Sequence, residues 1–184
     1  INISLVCSDD QYMIAADAYI RAIEKRIKKG LNPAVSAFTS ISVSHLVSAF
    51  SGKLTEETAV EASIAVASRI YRSMRRLHTS QKWERAYNSG ARFLRLIWVN
   101  SGEEQATNAE HFIANHLIAS LTVSSLSEPV LKEFLDCTNP HILIAETGDS
   151  YEGILPRTLD VELKFEAMAA RLQKDLAELQ IKSW

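Results

Sequence analysis

The stretch FLRLIWV at residues 93–99 decides the fold, together with two similar runs, INISLVC at residues 1–7 and SAFTSISVS at residues 36–44. Each run is strand-sized, largely apolar and rich in β-branched residues, which is typical of strands buried in a parallel sheet. Residues 1–7 start without a preceding turn, so we expect the chain to begin inside a strand.

Helical patterns separate these strand candidates. Ser8 is a suitable N-cap, and apolar residues then recur at spacings of three and four until the cationic turn before Gly30. A Ser/Gly linker is predicted around Ser51, after which Thr55 caps a longer helix. The remaining predicted elements are a helix over residues 81–87, a weak strand over 121–126, a short helix over 128–136 and a closing helix over 159–181.

Strands that alternate with helices predict an α/β fold, in which parallel strands are joined by right-handed crossovers. The sheet is then either doubly wound or part of a barrel. Four such units do not close a barrel, because a complete one has eight strands and typically about 250 residues. We therefore expect residues 1–184 to form part of one larger barrel.

The composition argues against two classes of partner. A formal net charge of -2 and a pI near 6.2 give no basic field for nucleic acid or for an anionic membrane surface. The apolar runs are far shorter than the roughly 20 residues that a membrane helix needs. We expect a soluble protein that contacts neither nucleic acid nor membrane.

Metal and cofactor sites are not predicted. Cys7 and Cys137 are too few for a disulfide framework or a metal cluster, and we interpret them as buried thiols. His111 and His116 are five residues apart, which differs from the four-residue spacing of zinc-binding helices.

The cationic residues favour surface roles. Lys25, Lys28 and Lys29 end an exposed helix and Lys53 lies in a linker, so none is a good candidate for an amine nucleophile. The predicted longer helix carries a basic face, which we interpret as solvated or, alternatively, as a docking surface for an acidic partner. Its members are Arg69, Arg72, Arg75, Arg76 and His78.

Several segments, in the correct order, resemble the transaldolase family, and specifically its bacterial and plant branch. They are INISLVCS at residues 1–8, FTSISVSH at 38–45, RFLRLIWVNSG at 92–102 and LTVSSLSEP at 121–129. These look like the fifth to eighth strands of that family's (β/α)₈ barrel. Transaldolases move a dihydroxyacetone unit between sugar phosphates in the pentose phosphate pathway through a lysine Schiff base.

The resemblance implies roles for three polar residues. Asn2 matches an Asn that binds the dihydroxyacetone hydroxyls, Ser4 matches a Thr that holds a catalytic water, and Ser40 matches a substrate-contacting Ser. Because barrel sites lie at the carboxyl ends of strands, we expect all three to face one polar space there. Alternatively, they are hydrogen-bonded groups that fill a barrel interior.

The resemblance departs at the phosphate-binding end. His45 stands where the family has a phosphate-binding Arg, and an imidazole cannot replace a permanently charged, bidentate guanidinium. Glu103 and Glu104 add negative charge near a position that the family keeps basic. Both changes predict weaker phosphate binding.

Two functions follow from the resemblance. The first is a degenerate, non-catalytic homologue that acts with protein partners as a structural or assembly component, which the loss of the Arg favours. The alternative is part of an active transaldolase that binds a sugar phosphate and takes its Schiff-base lysine from strands outside these residues, without a cofactor. The family branch suggests a plastid or a cytoplasm.

Overall fold

The sheet of the protein contains four parallel strands in the order in which they occur along the chain. The structure, a computed structural model, describes residues 1–100, 113–136 and 165–182. The strands are β1 (Asn2–Val6), β2 (Ala37–Ser42), β3 (Leu94–Val99) and β4 (Thr122–Ser125). The predicted α/β class with parallel strands is confirmed.

Helices follow the strands as the periodicity predicts. They are α1 (Asp9–Lys28), α2 (Val43–Ser51), α3 (Glu56–His78), α4 (Gln81–Asn88), α5 (Glu128–Asp136) and α6 (Phe165–Lys182). The predicted cap residues are confirmed for α1 and α3, where Ser8 Oγ accepts from the N–H of Gln11 and Thr55 Oγ1 accepts from that of Thr58. No helix in the described ranges combines the length and apolar character needed to cross a membrane. Residues 159–164 of the predicted closing helix lie outside those ranges.

The prediction for residues 43–51 was wrong. We expected the second strand to continue to Ser44 and a linker to follow, but β2 ends at Ser42 and α2 begins at once. The Ser and Val residues of this segment have modest helix propensity, which favoured the strand interpretation. Val43, Leu46 and Phe50 are nevertheless spaced three and four apart, and all three are buried, so tertiary packing decides the conformation.

One side of the sheet forms the core. In the central strands every second side chain is buried beneath the helices, including Thr39, Ile41, Leu96 and Trp98. The intervening side chains of β2 and β3 are half-buried and point to the other side. The helices therefore cover one face of the sheet, and the intervening residues of β2 and β3 form the opposite face.

An irregularity bends β1 where it pairs with β2. Asn2 lies opposite Phe38 and Ile3 opposite Thr39, but Val6 lies opposite Ile41, so β1 has one residue more than its partner. Leu5 occupies this bulge with a φ of 65°, which is unusual for a side chain of its size. Its carbonyl oxygen accepts a hydrogen bond of 2.8 Å from Gln173 Nε2, which ties α6 to β1.

An aromatic cluster joins the end of α3 to α4 and to the start of β3. The imidazole of His78 lies 5.2 Å from the ring of Trp83 and 4.7 Å from that of Phe93, measured between ring centroids. Neither ring nitrogen of His78 has a hydrogen-bond partner in the described structure. Burial, and then the positive charge of Arg75, lower the pKa of His78 to about 4 from its ordinary value of 6.5.

The low pKa of His78 predicts acid sensitivity. Between pH 6.5 and about 4 the unfolded chain binds a proton that the folded chain does not, so stability is lost as the pH falls through this range. We expect the free energy of unfolding, measured by urea denaturation, to drop by about 2 kcal/mol from pH 7 to pH 5 through this group. His78→Phe should remove that drop.

A matched control for this prediction is Tyr87→Phe, which changes another ring of the same cluster without removing an imidazole. It should keep the pH dependence of the wild type. An unchanged pH dependence in His78→Phe would contradict the assignment.

Candidate functional site

Polar side chains lie on the side of the sheet that the helices leave uncovered. We call this side the inner face and define it by Asn2, Phe38, Ser40, Ser42, Arg95, Ile97 and Val99. Strand register places them together, because Phe38 lies opposite both Asn2 and Arg95, Ser40 opposite Ile97, and Ser42 opposite Val99. The face also carries the apolar side chains of Phe38, Ile97 and Val99. Both faces of a parallel sheet are normally covered, so this mixed face is a candidate binding surface.

Asn2 and Ser40 form a direct contact on the inner face. Ser40 Oγ donates a hydrogen bond of 2.9 Å to Asn2 Oδ1. Asn2 is exposed and Ser40 is half-buried, and neither side chain belongs to the buried layer beneath the helices. The pair therefore presents an amide NH₂ and a hydroxyl oxygen together, which are suitable partners for vicinal hydroxyl groups.

The positions of the three residues along the strands differ from the expectation. Asn2 is the first residue of β1 and Ser40 lies within β2, so the pair is not at the carboxyl ends of the strands. The reason is the pairing of Asn2 with Phe38, near the start of β2. Ser4 is exposed beside the bulge and makes no hydrogen bond to Asn2 or Ser40. Its role as a water-holding residue stays a prediction.

The carboxyl end of β2 leads directly into the first turn of α2, where His45 is located. Ser42 is the N-cap residue, but its side chain makes no capping bond, and Ser42 Oγ is hydrogen-bonded to His45 Nδ1 instead. The first turn contains no acidic residue. Uncapped N–H groups and the helix dipole favour an anion at such a position.

Sequence reasoning missed Asn100, which follows the last residue of β3. Its side chain is buried, with 4% of the residue exposed, and neither Oδ1 nor Nδ2 has a hydrogen-bond partner in the described structure. Val99 pairs with Ser42, so Asn100 lies next to the strand end from which α2 begins. An Asn directly after an apolar strand was the available signal.

A carboxyl group approaches the carboxyl end of β1 from α6. Partial burial raises the pKa of Glu166, the neighbouring Asp10 and Asp9 add to this effect, and a hydrogen bond with Ser8 and the charge of Arg69 oppose it. Glu166 itself is exposed to solvent, and the direction of its pKa alone assigns it no chemical role. This residue too was missed, because it is distant in sequence from Ser8.

The described residues provide no metal-binding group of three or more His, Cys, Asp or Glu side chains. Cys7 is buried, and burial raises the pKa of its thiol to about 12, as expected of an inert core thiol. Cys137, His111, Glu103 and Glu104 lie outside the described residues.

No lysine among the described residues is buried or placed on a strand. Lys82, which is half-exposed, forms a salt bridge of 2.7 Å with Asp17. Lys53 is exposed after α2. A Schiff-base lysine needs a desolvated pocket to lower its pKa, and no described lysine has one.

The basic face of α3 is less available than the sequence suggested. Arg69 lies 3.5 Å from Asp9, and Arg72 and Arg75 each make an interaction of their own. Of the four arginines only Arg76 is fully exposed. A docking role for this face stays a prediction.

Comparison with known proteins gives the same family as the sequence motifs. No protein-family model matches the chain. Over 176 residues, 95% of the chain, it is 26% identical to a transaldolase of Neisseria gonorrhoeae, of which the match covers 50%. It is also 26% identical to transaldolases of Parafrankia over 144 residues and of Trichodesmium erythraeum over 152 residues, in each case 74% of the chain.

The chain thus spans about half the length of the curated Neisseria relatives that it matches. Its four parallel βα units are compatible with half of an eight-stranded barrel. These similarities, together with the parallel fold, make the chain a relative of the transaldolases.

Proposed function

We propose that the chain is the sugar-phosphate-binding half of a transaldolase-type barrel, whose catalytic amine comes from a lysine outside residues 1–184. The observation that carries this proposal is the Asn2–Ser40 pair on the inner face. The relatives are named transaldolases. By the sequence resemblance, Asn2 and Ser40 correspond to substrate-contacting residues of that family.

In this proposal the inner face binds and orients the substrate. The amide of Asn2 and the hydroxyl of Ser40 contact the hydroxyl groups of the dihydroxyacetone unit. The phosphate lies at the carboxyl ends of β2 and β3, where the first turn of α2 offers backbone N–H groups and Asn100 offers a buried, unpartnered amide. Positioning of this kind contributes to catalysis only when the amine is present.

A second candidate is a non-catalytic homologue with a structural or assembly role. The presence of His45 where the family has Arg favours it, because a charged, bidentate contact is lost at the phosphate position. The two candidates differ in whether an adduct with the substrate forms, and that difference can be measured.

The binding prediction concerns the inner face. Ser40→Ala and Asn2→Ala should each weaken the binding of fructose 6-phosphate by about three- to tenfold, as expected for a neutral hydrogen bond. Isothermal titration calorimetry measures this directly. The control is Ser51→Ala, an exposed Ser of α2 whose hydroxyl bonds only Val47 O. Equal affinity in Ser40→Ala and wild type would contradict the assignment.

The chemical prediction concerns the Schiff base. Treatment with fructose 6-phosphate and borohydride, applied to the polypeptide that contains this sequence, should trap a dihydroxyacetone adduct on a lysine outside residues 1–184. His45→Arg should lower the KM by about tenfold, since one charged phosphate contact is restored.

The absence of any adduct would reject the first candidate in favour of the second. Stoichiometric trapping with a KM unchanged by His45→Arg would reject the second candidate. It would also show that the first turn of α2 binds the phosphate without an arginine at position 45.

A further inference from the structure

We propose a second binding site, for a small aromatic compound that carries a phosphate group, in a pocket at the amino-terminal end of β2 and β3. The pocket has a volume of about 450 Å³, and we call it the Arg92–Arg95 pocket. Its main lining residues are Ser36, Phe38, Tyr87, Arg92, Phe93 and Arg95. It lies at the end of the strands opposite to His45 and Asn100, and it shares Phe38 and Arg95 with the inner face.

The charge of the pocket selects an anion. Arg92 and Arg95 both line it, and none of the described lining residues is acidic. Neither guanidinium has a carboxylate partner among the described residues. Two guanidinium groups that share one cavity, with no carboxylate partner in the part of the chain that the structure describes, match a phosphate, which offers several oxygens for bidentate contacts.

Both arginines are held in place by neighbours that leave their charge unneutralised. Arg92 Nη1 donates a hydrogen bond of 2.9 Å to Ser36 Oγ. The guanidinium carbon of Arg95 lies 5.5 Å from the centroid of the Phe38 ring, a cation–π contact. Tyr19 Oη also donates a hydrogen bond of 2.8 Å to the carbonyl oxygen of Arg92, and this bond fixes the backbone at Arg92. Such pre-organisation lowers the entropic cost of binding.

The walls of the pocket select a flat, apolar body next to the anion. The rings of Tyr87 and Phe93 lie 5.1 Å apart, and Tyr87 is 51% exposed although it belongs to an aromatic cluster. An exposed ring beside two guanidinium groups is suited to stacking against an aromatic ligand. The volume falls within the range of about 300–1,000 Å³ that is typical of small-molecule sites.

Isothermal titration calorimetry with phenyl phosphate as the probe tests this site. Inorganic phosphate tests the contribution of the anion alone, and phenol tests that of the aromatic ring alone. We expect phenyl phosphate to bind at least about tenfold more tightly than inorganic phosphate, and phenol not to bind measurably. Equal affinities for phenyl phosphate and inorganic phosphate would overturn the aromatic part of the proposal. No binding of either would overturn it entirely.

Variants assign the binding to the pocket. Arg92→Gln and Arg95→Gln should each weaken the binding of phenyl phosphate by about tenfold or more, because a charge-assisted contact is lost. Arg85 lies on α4, outside the pocket. Arg85→Gln removes the same charge, and this variant should bind phenyl phosphate like the wild type. Arg92→Lys keeps the charge but not the planar fork, and an intermediate affinity is expected.

Circular dichroism confirms that each variant is folded before titration. If Arg92→Gln does not fold, Arg92→Lys and Arg95→Gln carry the test. If the wild type, Arg95→Gln and Arg92→Lys bind phenyl phosphate with equal affinity, the proposed site is wrong. The site is also wrong if Arg85→Gln loses as much affinity as the pocket variants. Binding of phenyl phosphate is measured without turnover, and Arg92 lies outside the inner face, so the Arg92 variants separate the failure of this proposal from that of the previous one.

Discussion

Burial of alternate side chains beneath the helices is the constraint on which the rest of the structure depends. Thr39 and Ile41 of β2 and Leu96 and Trp98 of β3 are all fully buried under the helical layer. The strand pleat then commits the residues between them to the opposite side. A slip of one residue would bury Ser40 and Arg95 in an apolar layer, so the hydrophobic pattern fixes the register and the composition of the inner face together.

The inner face has a different chemistry at each end. In the proposed site, the anion-binding capacity at the carboxyl ends of β2 and β3 comes from the backbone N–H groups of α2 and from the amide of Asn100, close to His45. At the amino ends it comes from two arginines without carboxylate partners among the described residues. The Asn2–Ser40 pair lies between them and is suited to hydroxyl groups rather than to charge. Under the two proposals, this arrangement separates the recognition of sugar hydroxyls from the recognition of anions.

Much of the fold was predictable from sequence because strand length, helical spacing and capping residues agree with one another. The segment that follows Ser42 was not, since its helix depends on burying Val43, Leu46 and Phe50 rather than on local propensity. The site was predictable only in part. Asn2 and Ser40 came from the family resemblance, and Asn100 had a local signal in its place directly after an apolar strand. Glu166 required the spatial proximity of distant segments. The bulge at Leu5, which positions β1 against α6, has no clear signal in the local sequence.

The central claim is that the inner face holds the substrate while the amine comes from elsewhere. A crystal structure of the polypeptide that contains this sequence, soaked with fructose 6-phosphate and reduced with borohydride, tests it most directly. The account predicts a sugar chain with its hydroxyl groups on Asn2 and Ser40, its phosphate beside the first turn of α2, and a covalent bond to a lysine outside residues 1–184. Sugar bound away from the inner face, or Asn2 and Ser40 covered by protein with no sugar bound, would contradict it.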